Sequence, residues 1–250
     1  MTDPLPPRDG GPAGPGDATG GLARPGGGGL AAAVALTMVT GSMDAVSFLA
    51  LGGVFTSVMT ANLSLLGMSA GARDPALAGH AALAVTGYVL GALMSGRIVR
   101  GPEKTRLARR ALGVELLALG ALWALWASAG GHPGGGRRQG LLALAAVAMG
   151  GQSALVRAVA PPGLSTTYFT GILTNLLADL AATGRVRRVS AGLLGALVVG
   201  AVGGGVLLTV APSAAPALPT GLVAAVWLGA VAASVCERPR GAGGRGPGQG

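Results

Sequence analysis

The sequence predicts an all-α integral membrane protein, and three observations carry that prediction. Half of the residues are hydrophobic and only 11% are charged, against about 25% in a soluble domain. The mean hydropathy is +0.60. The apolar residues fall into blocks close to the ~20 residues a helix needs to cross a hydrocarbon core, and most charges sit in the gaps between them.

Residues 1–29 are rich in Gly and Pro with scattered Asp and Arg. Such a stretch buries too little apolar surface to fold and reads as a disordered tail. The first apolar run begins only at Leu30, so no signal peptide is expected. One transmembrane domain covers 30–236, and residues 237–250 form a second loose tail. Cys236 is the lone cysteine, which excludes an internal disulfide and is expected to be inert.

Eight apolar blocks fill the domain: 30–51, 53–71, 79–99, 111–130, 140–160, 163–183, 189–210 and 217–236. Six read as spans. The blocks 53–71 and 163–183 are studded with Ser, Thr and Asn, and charge arbitrates whether they cross. If all eight blocks cross, the basic residues split eleven to six. If the two polar blocks dip in and return, fourteen basic residues share a side with both tails, and only Arg73, Arg137 and Arg138 lie opposite. The second split fits the positive-inside rule better. The expectation is therefore six transmembrane helices plus two re-entrant or broken helices, with both termini on the cytoplasmic side of the plasma membrane. Eight spans is the alternative. Three spans per half, about 30–130 and 140–236, make the halves a 3+3 inverted repeat, as in many transporters.

The net charge of +9 would suggest nucleic acid in a soluble protein. Here no aromatic platform accompanies the loop charges, so they read as orientation signals and as attraction to anionic lipid heads. The 47 glycines allow close helix approach. Gly87/Gly91 and Gly200/Gly204 have small-xxx-small spacing, although this composition also produces that spacing by chance.

Two stretches carry the polar residues: GSMDAVSFLALGGVFTSVMTANLSLLG, from Gly41 to Gly67, and GGQSALVRAVAPPGLSTTYFTGILTNLLADL, from Gly150 to Leu180. Gly41 overlays Gly150 and Ala45 overlays Ala154, which sets Ser153 opposite Asp44. A Gly or Pro break and a Thr-rich segment follow in both. A carboxylate near mid-bilayer costs about 2.5–3.5 kcal/mol on the lenient scale, so Asp44 must face a cavity, find a partner or take a proton. Its plain alternative is a packing carboxylate bonded to a neighbouring Thr or backbone amide. Thr60, Asn62, Thr166, Thr167, Tyr168 and Thr170 offer donors and acceptors at the breaks, either to a solute or only to the interrupted backbone. Arg157 is the candidate ion partner of Asp44, with a snorkelling interfacial arginine as the alternative.

Among the remaining residues, Asp179 is expected to pair with the basic run at 185–188. Glu115, read as lying in the first turn of its helix, suits the helix dipole. His80 and His132 have no partner at metal-ligand spacing. No P-loop, GxSxG or HExxH is present, so neither an enzymatic role nor a cofactor or metal is expected.

The Asp44-bearing stretch, with Asp after glycine and then Phe55-x-x-x-Met59-Thr60-x-Asn62, and the later STTYFTG resemble the paired motifs of the YoaK-like DUF1275 (UPF0700) family of uncharacterised multi-pass membrane proteins. The resemblance covers most of 30–236. Where the family pattern has Thr-Gly-Asn, this chain has Thr60-Ala61-Asn62. The resemblance implies a membrane location and supplies no substrate. The reading it leaves is a transporter or channel for a small solute, proton-coupled if Asp44 exchanges a proton. The alternative is a membrane subunit or sensor whose polar motifs only lock helices together. The partners expected are lipids and a small solute, without nucleic acid; a homo-oligomer is compatible with the sequence.

Overall fold

The computed structural model describes residues 27–99, 103–159 and 169–236. Eight helices follow in order: α1 (Gly27–Ala50), α2 (Met59–Ala72), α3 (Pro75–Ile98), α4 (Lys104–Ala127), α5 (Gly135–Val159), α6 (Phe169–Thr183), α7 (Arg188–Val210) and α8 (Ala217–Cys236). A 3-10 turn at Pro212–Ala214 joins the last two, and no strand occurs among the described residues.

Six helices, all but α2 and α6, are long and apolar enough to cross a membrane. α2 has 14 residues, a rise of about 21 Å against a hydrocarbon core of about 30 Å, and the described part of α6 has 15. Large apolar side chains such as Leu49, Met68, Leu117 and Val210 stand exposed, as lipid-facing positions must. α1 and α5 are the most enclosed spans, each 56% buried, and the other four are 17–33% buried. These two helices form the centre.

Five helices, α1, α3, α4, α5 and α7, begin before their apolar blocks, whereas α2 begins after the start of its own. α4 begins at Lys104 and takes in Arg106, Arg109 and Arg110, where the apolar reading starts at 111. A helix continues through the interface while its arginine heads reach water, so hydropathy truncates it. Glu115 is consequently the twelfth of 24 residues in α4, at mid-helix, and the expectation of a first-turn carboxylate is corrected.

Contacts fix the relative directions. A Cβ on Gly200 would overlap the Met38 backbone, and one on Gly204 would crowd that of Ser42. The register climbs together, so α1 and α7 run parallel. Gly87 lies against Ala143 and Ala146, and Gly151 against Gly91 and Ser95, so α3 and α5 are parallel too. α4 and α8 are antiparallel: Gly113 meets Trp227, Thr220 donates to the Leu119 carbonyl, and Trp126 Nε1 donates to the Pro212 carbonyl at 2.7 Å. α7 and α8 form a hairpin in which Gly203 meets Leu218. The end of α1 lies beside the start of α3, with Gly52 against His80 and Gly53 against Leu77.

Together these contacts make α1, α4 and α7 run one way and α3, α5 and α8 the other. Segment 51–74 therefore leaves and returns on one face. α1 starts and α8 ends on the opposite face, here called the terminal face. Arg97, Lys104, Arg106, Arg109, Arg110, Arg185, Arg187 and Arg188 belong to the terminal face, and Arg73, Arg137 and Arg138 to the other.

With Cys236 replaced by serine, single cysteines at Ala76 and Ser213 should react with an impermeant thiol reagent from one side of the membrane. Cysteines at Glu103 and Arg185 should react from the other; Ala76 and Arg185 labelling together would refute the layout. Gly200→Val should lower the thermal midpoint in detergent, with about 1–3 kcal/mol or more lost to overpacking. Gly120→Ala, with open space around it, should be neutral or gain up to about 1 kcal/mol of helix propensity.

Candidate functional site

The chain turns back at the end of α1 through Gly52 and Gly53, whose φ values of 130° and 73° suit glycine. An extended limb then descends along the last turns of α1. Ser47 Oγ donates to the Val54 carbonyl at 2.8 Å, and Phe55 stacks on Phe48 with centroids 4.9 Å apart. Six residues back from the end of α1, about 9 Å deeper, Asp44 receives the limb. Its Oδ1 accepts from Thr56 N at 2.8 Å, Ser57 N at 2.9 Å and Thr56 Oγ1 at 3.0 Å. Its Oδ2 accepts from the Ser57 hydroxyl. From the other side Asn62 reads Phe55 like a strand partner: Oδ1 accepts from Phe55 N at 2.9 Å, and Nδ2 donates to Phe55 O at 2.6 Å.

Asp44 is 8% exposed and Asn62 0%, so both stand behind the wall of the break and satisfy its backbone. The ion pairs among the described residues are Arg106–Glu103 and Arg187–Asp179. The second, at 3.5 Å, matches the pairing expected of Asp179. Arg157 and Asp44 do not pair, because donors of the limb already occupy both carboxylate oxygens.

The short helices begin deep inside. Met59 and Thr60, the first residues of α2, lie in the same cavity wall as Tyr88, the fourteenth residue of α3 and about 20 Å from its start. Phe169 and Thr170, the first of α6, share that wall with Leu197, the tenth residue of α7. α2 therefore starts near mid-depth, and the first described residues of α6 meet it at one cavity of about 720 Å³. Its polar lining is Ser57, Thr60, Tyr88, Ser153, Thr170 and Arg157. Val58 at the head of α2 provides no side-chain cap, which leaves first-turn N–H groups without an intrahelical partner. Arg157 lies in the last turn of α5 with an exposed side chain, towards the terminal face.

The structure thus brings Thr60, Thr170 and Arg157 together and keeps Asp44 and Asn62 one layer back. Thr166, Thr167 and Tyr168 lie outside the described residues. Ser57, Tyr88 and Ser153 were missed as site residues. For Ser153 the signal was present, since the overlay of the two stretches sets it opposite Asp44.

A second, smaller cavity of about 90 Å³ lies between α3, α4 and α5. It holds Glu115, 5% exposed, whose two carboxylate oxygens lack a hydrogen-bond partner, as does the nearby Ser95 hydroxyl. The rest of its lining is apolar, with Met94, Ile98, Val114 and Leu155 among it.

Asp44→Ala should sharply lower thermal stability in detergent, because each buried donor left bare costs about 1–3 kcal/mol. Asp44→Asn keeps one acceptor oxygen for the two backbone N–H groups and should lose markedly less. Equal losses in the two variants would argue against the clamp.

The family model described as "Protein of unknown function (DUF1275)" matches residues 32–229. The UPF0700 transmembrane protein YoaK of Bacillus subtilis (strain 168) is 28% identical over 148 residues, covering 58% of this chain. The match spans 64% of that relative's own length. No solved structure matches the chain. A family match across most of the transmembrane domain, joined to the helical architecture above, makes the chain a member of the DUF1275 family of membrane proteins.

Proposed function

We propose that the protein moves a small solute across the cytoplasmic membrane, as a transporter or channel, with the central cavity as its binding site. The observation that carries this reading is the meeting of α2, which starts at a break in the chain, with α6 at a polar cavity of about 720 Å³, inside the range of about 300–1,000 Å³ usual for small-molecule sites. Interrupted backbone in a membrane is tolerated where it is buried in protein or lines a wet cavity, and discontinuous helices facing a midplane site recur in transporters. The helix directions support a 3+3 inverted repeat: α1, α3 and α4 run opposite to α5, α7 and α8. The pairings are reciprocal as well, with α1 on α7 and α5 on α3, and α1 on α8 and α5 on α4. The greater basic charge of the terminal face supports placing that face, with both termini, in the cytoplasm.

In this reading Thr60, Thr170, Ser153, Tyr88 and Ser57 offer hydroxyls to the solute. Asp44 acts one layer back by fixing the Ser57 hydroxyl and the limb that carries it. A second reading, a membrane subunit or sensor without transport, is favoured by one observation: every oxygen and nitrogen of the Asp44 and Asn62 side chains has a partner within the protein.

Vesicles reconstituted with the full chain and challenged osmotically with glycerol, acetate, succinate, phosphate or tetramethylammonium separate the two. Transport predicts faster relaxation than in protein-free vesicles for at least one solute, slowed several-fold in the Thr60→Val/Thr170→Val double variant. Relaxation no faster than in protein-free vesicles for every member of the panel favours the subunit reading.

A further inference from the structure

We propose that the small cavity between α3, α4 and α5 binds a primary ammonium group carried on an apolar body, with Glu115 and Ser95 as its acceptors. The site is separate from the central cavity and does not rest on the transport reading.

Glu115 is 5% exposed and Ser95 7%, and both line the cavity. Neither carboxylate oxygen of Glu115 has a hydrogen-bond partner in the protein, and neither does the Ser95 hydroxyl. The two side chains therefore do not bond each other, although they share a space of about 90 Å³. That space is several times the about 10–15 Å³ that one water needs. A buried acceptor left bare is costly, and a charged one more so, so these three oxygens favour a donor from outside the chain. An ionisable side chain within a span marks a functional site whose partner is to be named.

The wall sets the charge and the donor count of that partner. Glu115 is the only charged side chain in it among the described residues. The arginines nearest to it in sequence on α3 and α4, Arg97, Arg109 and Arg110, are not part of the wall. The backbone offers no free donor, because α3, α4 and α5 run through this region as helices with their N–H groups committed four residues back. What remains is three acceptor oxygens and one acidic group. A primary ammonium brings three N–H donors and a positive charge, one donor for each oxygen. Water and alcohols bring no charge, and a quaternary ammonium brings no donor. A divalent cation takes about six or more oxygens, and this wall offers three.

The rest of the lining is apolar and includes Met94, Ile98, Val114 and Leu155. Met94, Ile98 and Val114 are also exposed, on the lipid-facing sides of α3 and α4. The cleft thus opens sideways towards the bilayer, and the substituent on the nitrogen extends along these side chains into hydrocarbon. Both a free alkylamine and the head group of an aminophospholipid carry this chemistry.

The test is thermal stability of the purified full chain in detergent. The probes are n-butylammonium and n-hexylammonium chloride, with tetramethylammonium chloride at equal concentration as reference and 1-butanol and butyrate as controls. The two primary ammonium ions should raise the midpoint by several degrees over the reference. Their apparent affinity should fall at least about tenfold in Glu115→Gln, as loss of hydrogen bonds to a charged group requires, and several-fold in Ser95→Ala. Nanodiscs of phosphatidylcholine with and without phosphatidylethanolamine separate the two sources. Phosphatidylcholine carries the same nitrogen with methyl groups in place of its hydrogens. If the lipid head is the occupant, phosphatidylethanolamine raises the midpoint, and only while Glu115 is present; if a free amine is, the alkylammonium ions act and phosphatidylethanolamine does not.

A response to 1-butanol or tetramethylammonium as large as that to n-butylammonium overturns the ammonium assignment. A response unchanged in Glu115→Gln overturns the site. Should that variant fail to fold, Ser95→Ala carries the comparison, and an unchanged response there overturns the site equally. No response to either amine or to phosphatidylethanolamine overturns the proposal.

Discussion

The structure depends on a single constraint: in hydrocarbon, peptide N–H and C=O groups cannot be left bare. An unbroken helix meets it automatically. The limb between α1 and α2 does not, and side chains meet it instead. Ser47 takes the carbonyl of Val54, Asn62 takes both backbone groups of Phe55, and Asp44 takes the N–H groups of Thr56 and Ser57. Three side chains thus perform the work of a neighbouring strand. Asp44 suits the deepest position because a carboxylate has only acceptor sites, and four donors converge on it there. With the limb fixed in this way, α2 starts at mid-depth rather than at the surface, and so the cavity has a floor.

Close helix approach supplies the second support. Lipid gives no hydrophobic reward for bringing two apolar helices together, so contact must come from dispersion and shape. Gly41, Gly200 and Gly204 let α1 and α7 touch backbone to backbone, and Gly87, Gly91 and Gly150 do the same for α3 and α5. The two pairings are equivalent in position. Tyr88 packs on Gly150 as Leu197 packs on Gly41, and each contact lies near the middle of its helices. α2 packs on α3 of one pair and α6 on α7 of the other. The cavity draws its wall from both pairs, with Tyr88 and Ser153 from one and Leu197 from the other.

Much of this was legible in the sequence, for physical reasons that differ by residue. The six spans follow from hydropathy and length. The return of segment 51–74 follows from where the arginines lie, since charge placement records which loops share a side. The small-xxx-small pairs Gly87/Gly91 and Gly200/Gly204 mark true contacts, but an Ala- and Gly-rich background hid their significance. The break between α1 and α2 falls within the polar stretch Gly41–Gly67. The division of labour within it was not legible, because a sequence does not show which way a side chain points from a non-helical limb. Asp44 and Asn62 point back into protein, whereas Ser57, one residue beyond Thr56, serves both Asp44 and the cavity. Tyr88 and Ser153 enter the site only through the packing of α3 against α5. Glu115 was misplaced because hydropathy began α4 seven residues too late.

Asp44 and Glu115 then show why two mid-membrane carboxylates behave differently. Asp44 lies next to a chain break, where backbone N–H groups are released from helical bonding and are free to donate. Glu115 lies at the centre of an unbroken helix, where N–H groups are already committed four residues back. No break in the described chain lies within its reach, and neither α3 nor α5 offers it more than the Ser95 hydroxyl. Local backbone can satisfy the first carboxylate and cannot satisfy the second. A group entering the small cavity from outside the chain, such as water, would have to complete the bonding of Glu115. Asp44 is therefore tied into the scaffold of the limb, with a donor on each of its oxygens. Of these two buried acids, only Glu115 has carboxylate oxygens without a hydrogen-bond partner in the protein.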